Sequence, residues 1–456
     1  MNQTADFTGW NDNRYGNLWT YNLNYMDYLL QPGISFGEGC KWINRFIDEI
    51  QSGKIGLTPY PIALRGINWI KFISVHHAEI SGALKKKWDA SLYAQYHILA
   101  DNIEYHLLGN HLLEDAYSLL WGGLYFREEK WYRKSEKLLY QELNEQILAD
   151  GAHFELSPMY HGILLDRLLD CINATKHNDR YAGQNALTAF MEKKASEMLG
   201  WLEAIIYRDG SIPLVNDAAN GIAPSSAEIF SYARCLELNW GKKTMKESGY
   251  RKMETEQMEI LIDAGQIGAD YIPGHAHADT FNYEMRMNGC PFIIDTGIST
   301  YDKNNRRQYE RGTSAHNTVA VNGEDSSRVW GGFRAGKRAK VSLLENTPSK
   351  IKARHNGFKG VIHERTFELS SRSLVIHDRL LPGQNTGVGF IILSPFVQTV
   401  SQTGNQIITD KAVISIRDIT RIWLEDCEIS NEYNKPVPAK KICYSFTGQA
   451  ECRISV

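Results

Sequence analysis

The chain has 456 residues, 43% of them hydrophobic and 23% charged, and its formal net charge is −3. This length exceeds the usual size of one domain, and so small a net charge excludes a general attraction to nucleic acid or other polyanions. No apolar run is long enough to span a membrane, and Met1 to Trp10 lacks the basic and apolar regions of a signal peptide. We therefore expect a cytoplasmic protein as written, or a periplasmic one if the chain is a processed form.

The first half of the chain has the apolar spacing of amphipathic helices, and glycine, proline and asparagine separate the segments. The predicted helices are Cys40 to Ile50, Gly66 to Val75, Trp88 to Leu107, Leu112 to Leu124, Lys130 to Leu148, Gly162 to Ala174, Asn185 to Ile206 and Ala227 to Leu238. After about Ser248 the pattern changes to short alternating runs, such as Glu259 to Ile262, which are typical of an antiparallel sandwich. The sequence predicts an α+β multidomain protein, with residues 1–247 helical and residues 248–456 a β-sandwich.

Polar side chains occur at four predicted loop-to-helix junctions of the helical half. Alternate junctions of antiparallel helix pairs lie at the same end of an array, so these loops are expected to line one cleft. Each group can also be a helix cap, for which Asn110 and Ser157 are suitable residue types. The candidates at these junctions are Arg65, Asn68, Trp69, Asn110, His111, Glu155, Tyr160, His161 and Asn216.

Early in the predicted sandwich, three histidines and several acids lie close together in sequence. His275 and His277 are two residues apart, so they would project to one side of an extended segment. Asn288-Gly289 predicts a hairpin that returns Asp295 toward His277, and His316 directly precedes another predicted strand. Two imidazoles and a carboxylate suit a zinc ion, although such groups often only hydrogen-bond one another. The candidate metal ligands are His277, Asp295 and His316.

Arginine and lysine residues alternate with aromatic residues around and just after this segment. Arg311 belongs to this local basic patch, and Tyr301 and Trp330 offer flat rings for stacking on sugar or base faces. Solvated surface charge is the alternative explanation for such a run. We expect Arg311 and Trp330 to contact an acidic ligand.

Together these motifs resemble the heparinase II/III family of polysaccharide lyases, especially members found with bacterial surface-polysaccharide genes. The motifs that carry the resemblance are Leu18 to Leu23, Asn110 to Glu114, Glu155 to His161, Gly274 to Asp279, Asp295 to Gly297 and Ala315 to Val319. The resemblance implies an incomplete (α/α) toroid followed by an antiparallel β-sandwich. It also implies that His277, Asp295 and His316 hold a structural zinc ion. His161 and His275 would then face the catalytic cleft.

The chemistry that the resemblance implies is β-elimination at a uronic acid residue of an acidic polysaccharide. One group must neutralise the uronate carboxylate, another must remove the C5 proton, and an acid must reach the departing oxygen. Related lyases carry a catalytic tyrosine where this chain has Asn216-Asp217, so either Tyr160 or Tyr301 takes that role or the chemistry differs. The catalytic candidates are Tyr160, His161, Asn216, His275, Tyr301 and Arg311.

Two other functions remain open at this point. A glycoside hydrolase on the same scaffold would use Glu155 with Asp217 or Asp279 as paired carboxylates, and its products would lack a new double bond. A protein that only binds or helps assemble a glycan would keep its binding when His161 or His275 is replaced.

Overall fold

The computed structural model describes residues 2–49 and 55–456, and its first half is helical. The helices are α1 (Gly16–Tyr25), α2 (Phe36–Glu49), α3 (Pro59–Val75), α4 (Gly82–Asp101), α5 (Gly109–Phe126), α6 (Glu129–Gln146), α7 (Pro158–Lys176), α8 (Gln184–Ile205) and α9 (Ser226–Cys235). None of these described helices combines the length and the apolarity needed to cross a bilayer. The predicted end of the first helix at Ile50 lies outside the described residues.

Local signals set where these helices begin. The hydroxyls of Ser81 and Ser157 cap α4 and α7, and Ser225 forms a capping box with Glu228 at α9. Helix α3 begins at Pro59, well before the predicted Gly66, because proline at the first position is compatible with a helix start.

Close packing joins the helices around a core rich in tryptophan. Trp69, Trp88 and Trp201 are fully buried there. A Cβ on Gly66 of α3 or on Gly122 of α5 would lie 2.6 Å from an atom of the Tyr96 side chain in α4. Glycine at both positions therefore lets α3 and α5 pack closely against the Tyr96 ring of α4.

The second half is built of antiparallel strands. They are β1 (Tyr250–Glu254), β2 (Met258–Asp263), β3 (Tyr283–Met287), β4 (Cys290–Ile293), β5 (Val319–Val321), β6 (Arg328–Trp330), β7 (Arg334–Gly336), β8 (Val341–Thr347), β9 (Lys350–Phe358), β10 (Val361–Leu369), β11 (Ser373–Leu381), β12 (Thr386–Leu393), β13 (Val400–Thr403), β14 (Gln406–Thr409), β15 (Val413–Arg417), β16 (Arg421–Glu432), β17 (Lys435–Thr447) and β18 (Gln449–Ser455). A short helix, α10 (Asn305–Glu310), lies between β4 and β5.

The strands form two large sheets and one small ribbon. The first sheet has the order β1-β2-β3-β4-β12-β17-β16, with β5 beside β12, and the second has the order β13-β14-β15-β18-β11-β10-β9-β8. Apolar residues of both sheets, among them Ile260, Phe367 and Ile442, form one buried core between them. Strands β6 and β7 pair only with each other. The predicted helical array followed by an antiparallel sandwich is confirmed.

The two halves share a buried boundary. Helix α9 ends at Cys235 and β1 begins at Tyr250, so the predicted division at residue 247 lies in the connecting segment. Tyr250 and Leu261 of the sandwich belong to the hydrophobic core of the helical half. The Tyr250 hydroxyl also donates a hydrogen bond to the carbonyl oxygen of Leu156 at 2.7 Å. Core packing and a hydrogen bond therefore join the two halves.

Candidate active site

A cleft of about 990 Å³ lies where helix N-termini of the first half face loops of the sandwich. From the helical half it is lined by Asn17, Leu18, Tyr21, Tyr25, Tyr60, Leu107, Asn110, His111, Glu155 and Tyr160. From the sandwich it is lined by Tyr271, Ile272, Pro273, Gly274, His275, Tyr301, Asp302, Lys303, Trp330, Phe333, Arg334 and Ala335. Eight of these lining residues are tyrosine, tryptophan or phenylalanine, whose rings suit contact with the flat faces of sugars.

Five of the predicted site residues meet in the floor of the cleft. The hydroxyls of Tyr160 and Tyr301 are 3.0 Å apart, and the ring centroids of Tyr160 and His275 are 4.1 Å apart. Nε2 of His275 lies 3.2 Å from Oε2 of Glu155 and 3.4 Å from Nδ2 of Asn110. The Asn110 amide also donates to Oε1 of Glu155 at 3.2 Å. An amide, an imidazole, a carboxylate and two phenols are thus within reach of one sugar ring.

Helix starts place the residues that the helical half contributes. Ser157 caps α7, so Tyr160 lies in the first turn of that helix. Asn110 is the second residue of α5, after Gly109, whose φ is +54°. A Cβ on Gly109 would lie 2.6 Å from Oε1 of Glu155, so glycine is needed both for this backbone conformation and for the close approach of the carboxylate.

Asp217 connects the cleft histidine to the loop behind it. Its carboxylate lies 2.8 Å from Nδ1 of His275 and 2.8 Å from Nε2 of His277. Arg307 donates to the same carboxylate, with Nη2 2.7 Å from Oδ2. Burial opposes ionisation, but the Arg307 charge and the histidine hydrogen bonds hold the pKa of Asp217 well below its ordinary value. The Asp217 bond to Nδ1 turns Nε2 of His275 toward the cleft.

The predicted extended geometry of the histidine pair was wrong. His275 and His277 lie in an irregular loop between β2 and β3, not in a strand. They still reach the same side, because both rings contact Asp217. The hairpin predicted at Asn288-Gly289 is confirmed as the connection between β3 and β4.

The carboxylate and the phenols of the floor differ in protonation state, because neighbouring groups offset the effect of burial only for the carboxylate. Burial raises the pKa of Tyr160 and of Tyr301 far above the ordinary value, so both hydroxyls are protonated at neutral pH. Burial also acts against ionisation of Glu155, but His275, His153 and the Asn110 hydrogen bonds lower its pKa below the ordinary value. The floor therefore presents one ionised carboxylate beside two neutral phenols.

The prediction that His161 faces the cleft was wrong. Its side chain is fully buried, with the ring centroid 4.5 Å from that of Trp201. The His153 backbone N–H donates to Nδ1 of His161 at 3.2 Å, and Nε2 lies 3.1 Å from the carbonyl oxygen of Met198. His161 follows Tyr160 directly, and the helical turn that points Tyr160 into the cleft points His161 into the core.

Asn216 and Arg311 are also buried behind the cleft, so their predicted contacts with substrate were wrong. The Asn216 amide donates to the Leu156 carbonyl oxygen at 3.1 Å, and its Oδ1 accepts from the His277 backbone N–H at 3.0 Å. Arg311 is 1% exposed and donates to the Ala276 carbonyl oxygen at 2.8 Å. Both side chains instead hold the backbone of the histidine loop.

The Arg65, Asn68 and Trp69 group is likewise buried, and it lies inside α3, not at a junction. Arg65 donates to the Asn24 carbonyl oxygen at 2.8 Å, and Asn68 donates to that of Tyr25 at 2.9 Å. Nε1 of Trp69 lies 3.0 Å from the sulfur of Met26. These three side chains bind the C-terminal end of α1 and the residue that follows it, and none of them lines the cleft.

The predicted metal ligands are buried together, with the rings of His277 and His316 5.3 Å apart. Nδ1 of His277 and Nε2 of His316 have no hydrogen-bond partner among the described residues, as expected of an imidazole nitrogen that is free to bind a metal. Asp295 accepts from Nδ1 of His316 at 2.8 Å and from Asn282 at 2.6 Å, so it orients His316. Over residues 2–49 and 55–456, no three His, Cys, Asp or Glu side chains are grouped closely enough to hold a metal ion as they stand.

Several residues in the cleft or supporting it from behind were not predicted. Arg307 stood within the arginine-rich run, but the sequence gives no sign that it pairs with Asp217, which lies far away in the chain. Tyr60 could have been found, because Thr58 and Pro59 mark a helix start like those of the other cleft residues. Asp302 and Lys303 carried no such signal.

Comparison with known proteins gives the same architecture. Residues 71–236 match the model of the heparinase II/III N-terminus, and residues 237–456 match that of the heparinase II/III-like C-terminal domain. A solved heparinase III superposes with a TM-score of 0.72 at 16% identity, covering 98% of this chain and 80% of that one. This likeness shows the fold, an incomplete helical toroid followed by a β-sandwich.

The chain belongs to the heparinase II/III-like family. A heparin-sulfate lyase of Bacteroides stercoris is 23% identical over 324 residues, or 62% of this chain and 45% of that protein. A heparin-sulfate lyase of Pedobacter heparinus is 26% identical over 260 residues, or 50% of this chain and 39% of that protein. The chain thus spans less than half the length of either relative.

Proposed function

We propose that this protein is a polysaccharide lyase that cleaves an acidic, uronate-containing polysaccharide by β-elimination. The observation that carries the proposal is the meeting of Asn110, Tyr160, His275 and Tyr301 in one cleft. The similarity to lyases of heparin sulfate, an acidic glycosaminoglycan, supports the same substrate class.

In this proposal Asn110 and His275 bind the uronate carboxylate. β-Elimination builds negative charge on that carboxylate as the C5 proton leaves, so hydrogen-bond donors fixed around it stabilise the transition state. Asn110 takes the neutralising role that the sequence assigned to Asn216, because Asn110 lines the cleft and Asn216 is buried behind it. Glu155, in the same floor, positions both groups: it accepts from the Asn110 amide and lies 3.2 Å from Nε2 of His275.

The tyrosine pair transfers the protons. Because both phenols are neutral, the Tyr301 hydroxyl takes the C5 proton as it passes its own proton to the Tyr160 hydroxyl, 3.0 Å away. Tyr160 gives its proton to the departing glycosidic oxygen, so both tyrosines end the step protonated. The guanidinium of Arg307, 5.1 Å from the Tyr301 ring, favours the ionised form of Tyr301, although burial outweighs it. We therefore assign proton removal to Tyr301 and protonation of the leaving oxygen to Tyr160.

The hydrolase alternative has less support from this arrangement. Asp217 is fully buried and bonded to Arg307 and two histidines, and Asp279 is 2% exposed. Neither lines the cleft, so Glu155 has neither of its predicted carboxylate partners there.

The experiment is a screen of uronate-containing polysaccharides, monitored by the absorbance of the new C4–C5 double bond. Removing a positioned acid or base costs about 10²- to 10⁴-fold in rate, so Tyr160→Phe and His275→Ala should each lose activity on that scale while staying folded. Tyr105→Phe changes an exposed tyrosine outside the cleft and is the matched control. Sugar release without that absorbance would favour the hydrolase, and near-normal turnover of both variants would refute the site.

We also propose that the family's structural zinc binds here, with His277 and His316 as ligands. Their partnerless nitrogens are joined by the partnerless Oδ2 of Asp279, which is also buried. Asp295, predicted as a ligand, would orient His316 in this arrangement. Zinc would crosslink the loops behind the cleft and take no part in the proton transfers.

The zinc proposal has its own test. Protein purified without added metal should contain about one zinc per chain by elemental analysis. Chelation should lower the unfolding temperature of the wild type but not that of His316→Ala. A wild-type protein free of zinc and indifferent to chelator would contradict the proposal.

A further inference from the structure

The cleft is walled at one end by contacts between the two domains. The carboxylate of Asp302 lies so close to Gly16, the first residue of α1, that a Cβ there would be 2.9 Å from its Oδ1. Farther back, the Asn2 side chain reaches from the N-terminal segment to the carbonyl oxygen of Tyr433 at 2.9 Å. Leu18 of α1 and Tyr301 of the sandwich pack against the same small buried cluster. The helical half and the sandwich are therefore in contact on the Tyr301 side of the cleft.

The other end is walled in the same way. The Tyr271 hydroxyl donates a hydrogen bond to Glu145 at the end of α6, and the ring centroids of Tyr271 and Phe154 are 6.0 Å apart. A Cβ on Gly109 would lie 2.9 Å from Cδ1 of Ile272. Here too a loop of the sandwich touches the helical half.

A chain of contacts places the reacting groups between these two walls. Tyr301, beside the first wall, is hydrogen-bonded to Tyr160, and the Tyr160 ring lies against His275. Nε2 of His275 approaches Asn110, which directly follows Gly109 of the second wall. The reactive floor thus runs from one wall to the other.

The remaining side of the cleft is its mouth. Trp330 and Phe333 are 39% and 44% exposed there, next to the exposed Arg334. Among the described residues, the side chains of Arg334 and of Lys303 have no hydrogen-bond or ion-pair partner, so both are available to an acidic chain approaching the mouth.

We propose that this cleft admits only an end of a polysaccharide, so that short unsaturated products leave from chain ends and internal linkages are not cut. An internal segment must enter and leave a groove, which needs two open ends, and here both ends are closed by contacts between the domains. The cleft volume of about 990 Å³ is that of a pocket that surrounds one short ligand. The proposal rests on the proposed lyase function and adds where along the polymer the lyase acts.

The test uses the wild-type protein and one uronate polymer prepared at several mean lengths. At equal mass concentration, below saturation, an enzyme that acts on ends should work about tenfold faster on chains tenfold shorter, because the number of ends is tenfold higher. The molar mass of the remaining polymer, followed by size-exclusion chromatography with light scattering, should fall gradually while small products accumulate. A rate independent of length, with molar mass collapsing early in the reaction, would overturn the proposal. No absorbance from any polymer would refute the lyase function itself.

A variant that removes a contact between the domains at one end of the cleft provides a second test. Tyr271→Ala removes the contact with Glu145 and should increase the share of internal cuts. Tyr105→Ala, which removes an exposed tyrosine outside the cleft, should leave the product pattern unchanged. The same product pattern in Tyr271→Ala and the wild type would count against the wall.

Discussion

His161 is held in its neutral form by the atoms around it. Nδ1 accepts from a backbone N–H, so a proton on that nitrogen would break the hydrogen bond, and Nε2 faces a carbonyl oxygen. Burial lowers the pKa of His161 from 6.5 to about 3. His153, next to it in the same core, has its pKa lowered by burial to about 4. Both histidines are structural groups whose neutral state the fold requires.

This gives a prediction for acid stability. The folded pKa of His161 lies below its unfolded value, so the unfolded chain binds the proton first as pH falls. The contribution of His161 to the free energy of unfolding is complete above about pH 6.5 and is lost between there and about pH 3. In urea unfolding experiments, the free energy of unfolding of His161→Gln should fall less than that of the wild type as the pH is lowered through this window.

An exposed histidine supplies the control for this measurement. His177 lies on the surface after α7, so His177→Gln should keep the wild-type pH dependence. Equal pH slopes in the His161 variant and the wild type would show that His161 does not supply this acid sensitivity.

At the scale of elements, the β6–β7 ribbon holds aromatic rings over the mouth of the cleft. Its two short strands pair only with each other, and Trp330 packs against Gly336, where a Cβ would lie 3.2 Å from the indole ring. Phe333, in the turn of the ribbon, is 5.4 Å from Tyr301 by ring centroids. The ribbon therefore places exposed aromatic rings, which suit stacking on a sugar, next to the proposed catalytic residues.

Replacing Trp330 should affect binding more than chemistry. An aromatic contact contributes about 0.5–1.5 kcal/mol, so Trp330→Ala should raise KM about two- to tenfold with little change in kcat. Because the ring is 39% exposed, the unfolding temperature should hardly change. Trp423→Ala, in β16 away from the cleft, is the control, and a fall in kcat without a rise in KM would contradict this role for Trp330.

The sequence predicts elements better than it predicts the direction of side chains. The two-residue turn between β3 and β4 needs positive φ angles, which asparagine and glycine tolerate, so Asn288-Gly289 predicts the hairpin correctly. Tyr160 and His161 show the limit, because adjacent polar residues at a helix start point to cleft and core respectively. Which of them faces substrate depends on how α7 packs against α8, and no local pattern contains that information. Arg65 was assigned to the cleft for the same reason: residue type alone does not distinguish a buried structural arginine from one that contacts a ligand.

At the scale of the whole molecule, the two halves share more than the cleft. Glu284 of β3 accepts from the Tyr207 hydroxyl at 2.8 Å and from the Leu214 backbone N–H at 3.1 Å. All three residues are buried, and Tyr250 extends the helical core into the sandwich. Loss of either half would expose these apolar and polar groups to water.

We therefore expect the two halves to unfold in one transition. Tryptophan fluorescence reports mainly on the helical half, where Trp69, Trp88 and Trp201 are buried, whereas far-ultraviolet circular dichroism reports on both halves. The two signals should have the same midpoint in urea. Separate midpoints would show that the shared boundary is too weak to couple the halves.

The Asp217 carboxylate, which contacts both histidines of the loop, also limits which substitutions can accumulate during evolution. One of its oxygens contacts the cleft histidine, the other contacts a proposed zinc ligand, and Arg307 binds both. A substitution that moves Asp217 alters the proposed catalytic centre and the proposed zinc-binding loop together, so the effects of further changes at either place will not simply add. Substitutions of Trp330 or Arg334 at the mouth can therefore change ligand preference independently of the interior. Substitutions near Asp217 depend on one another, because they act through the same carboxylate.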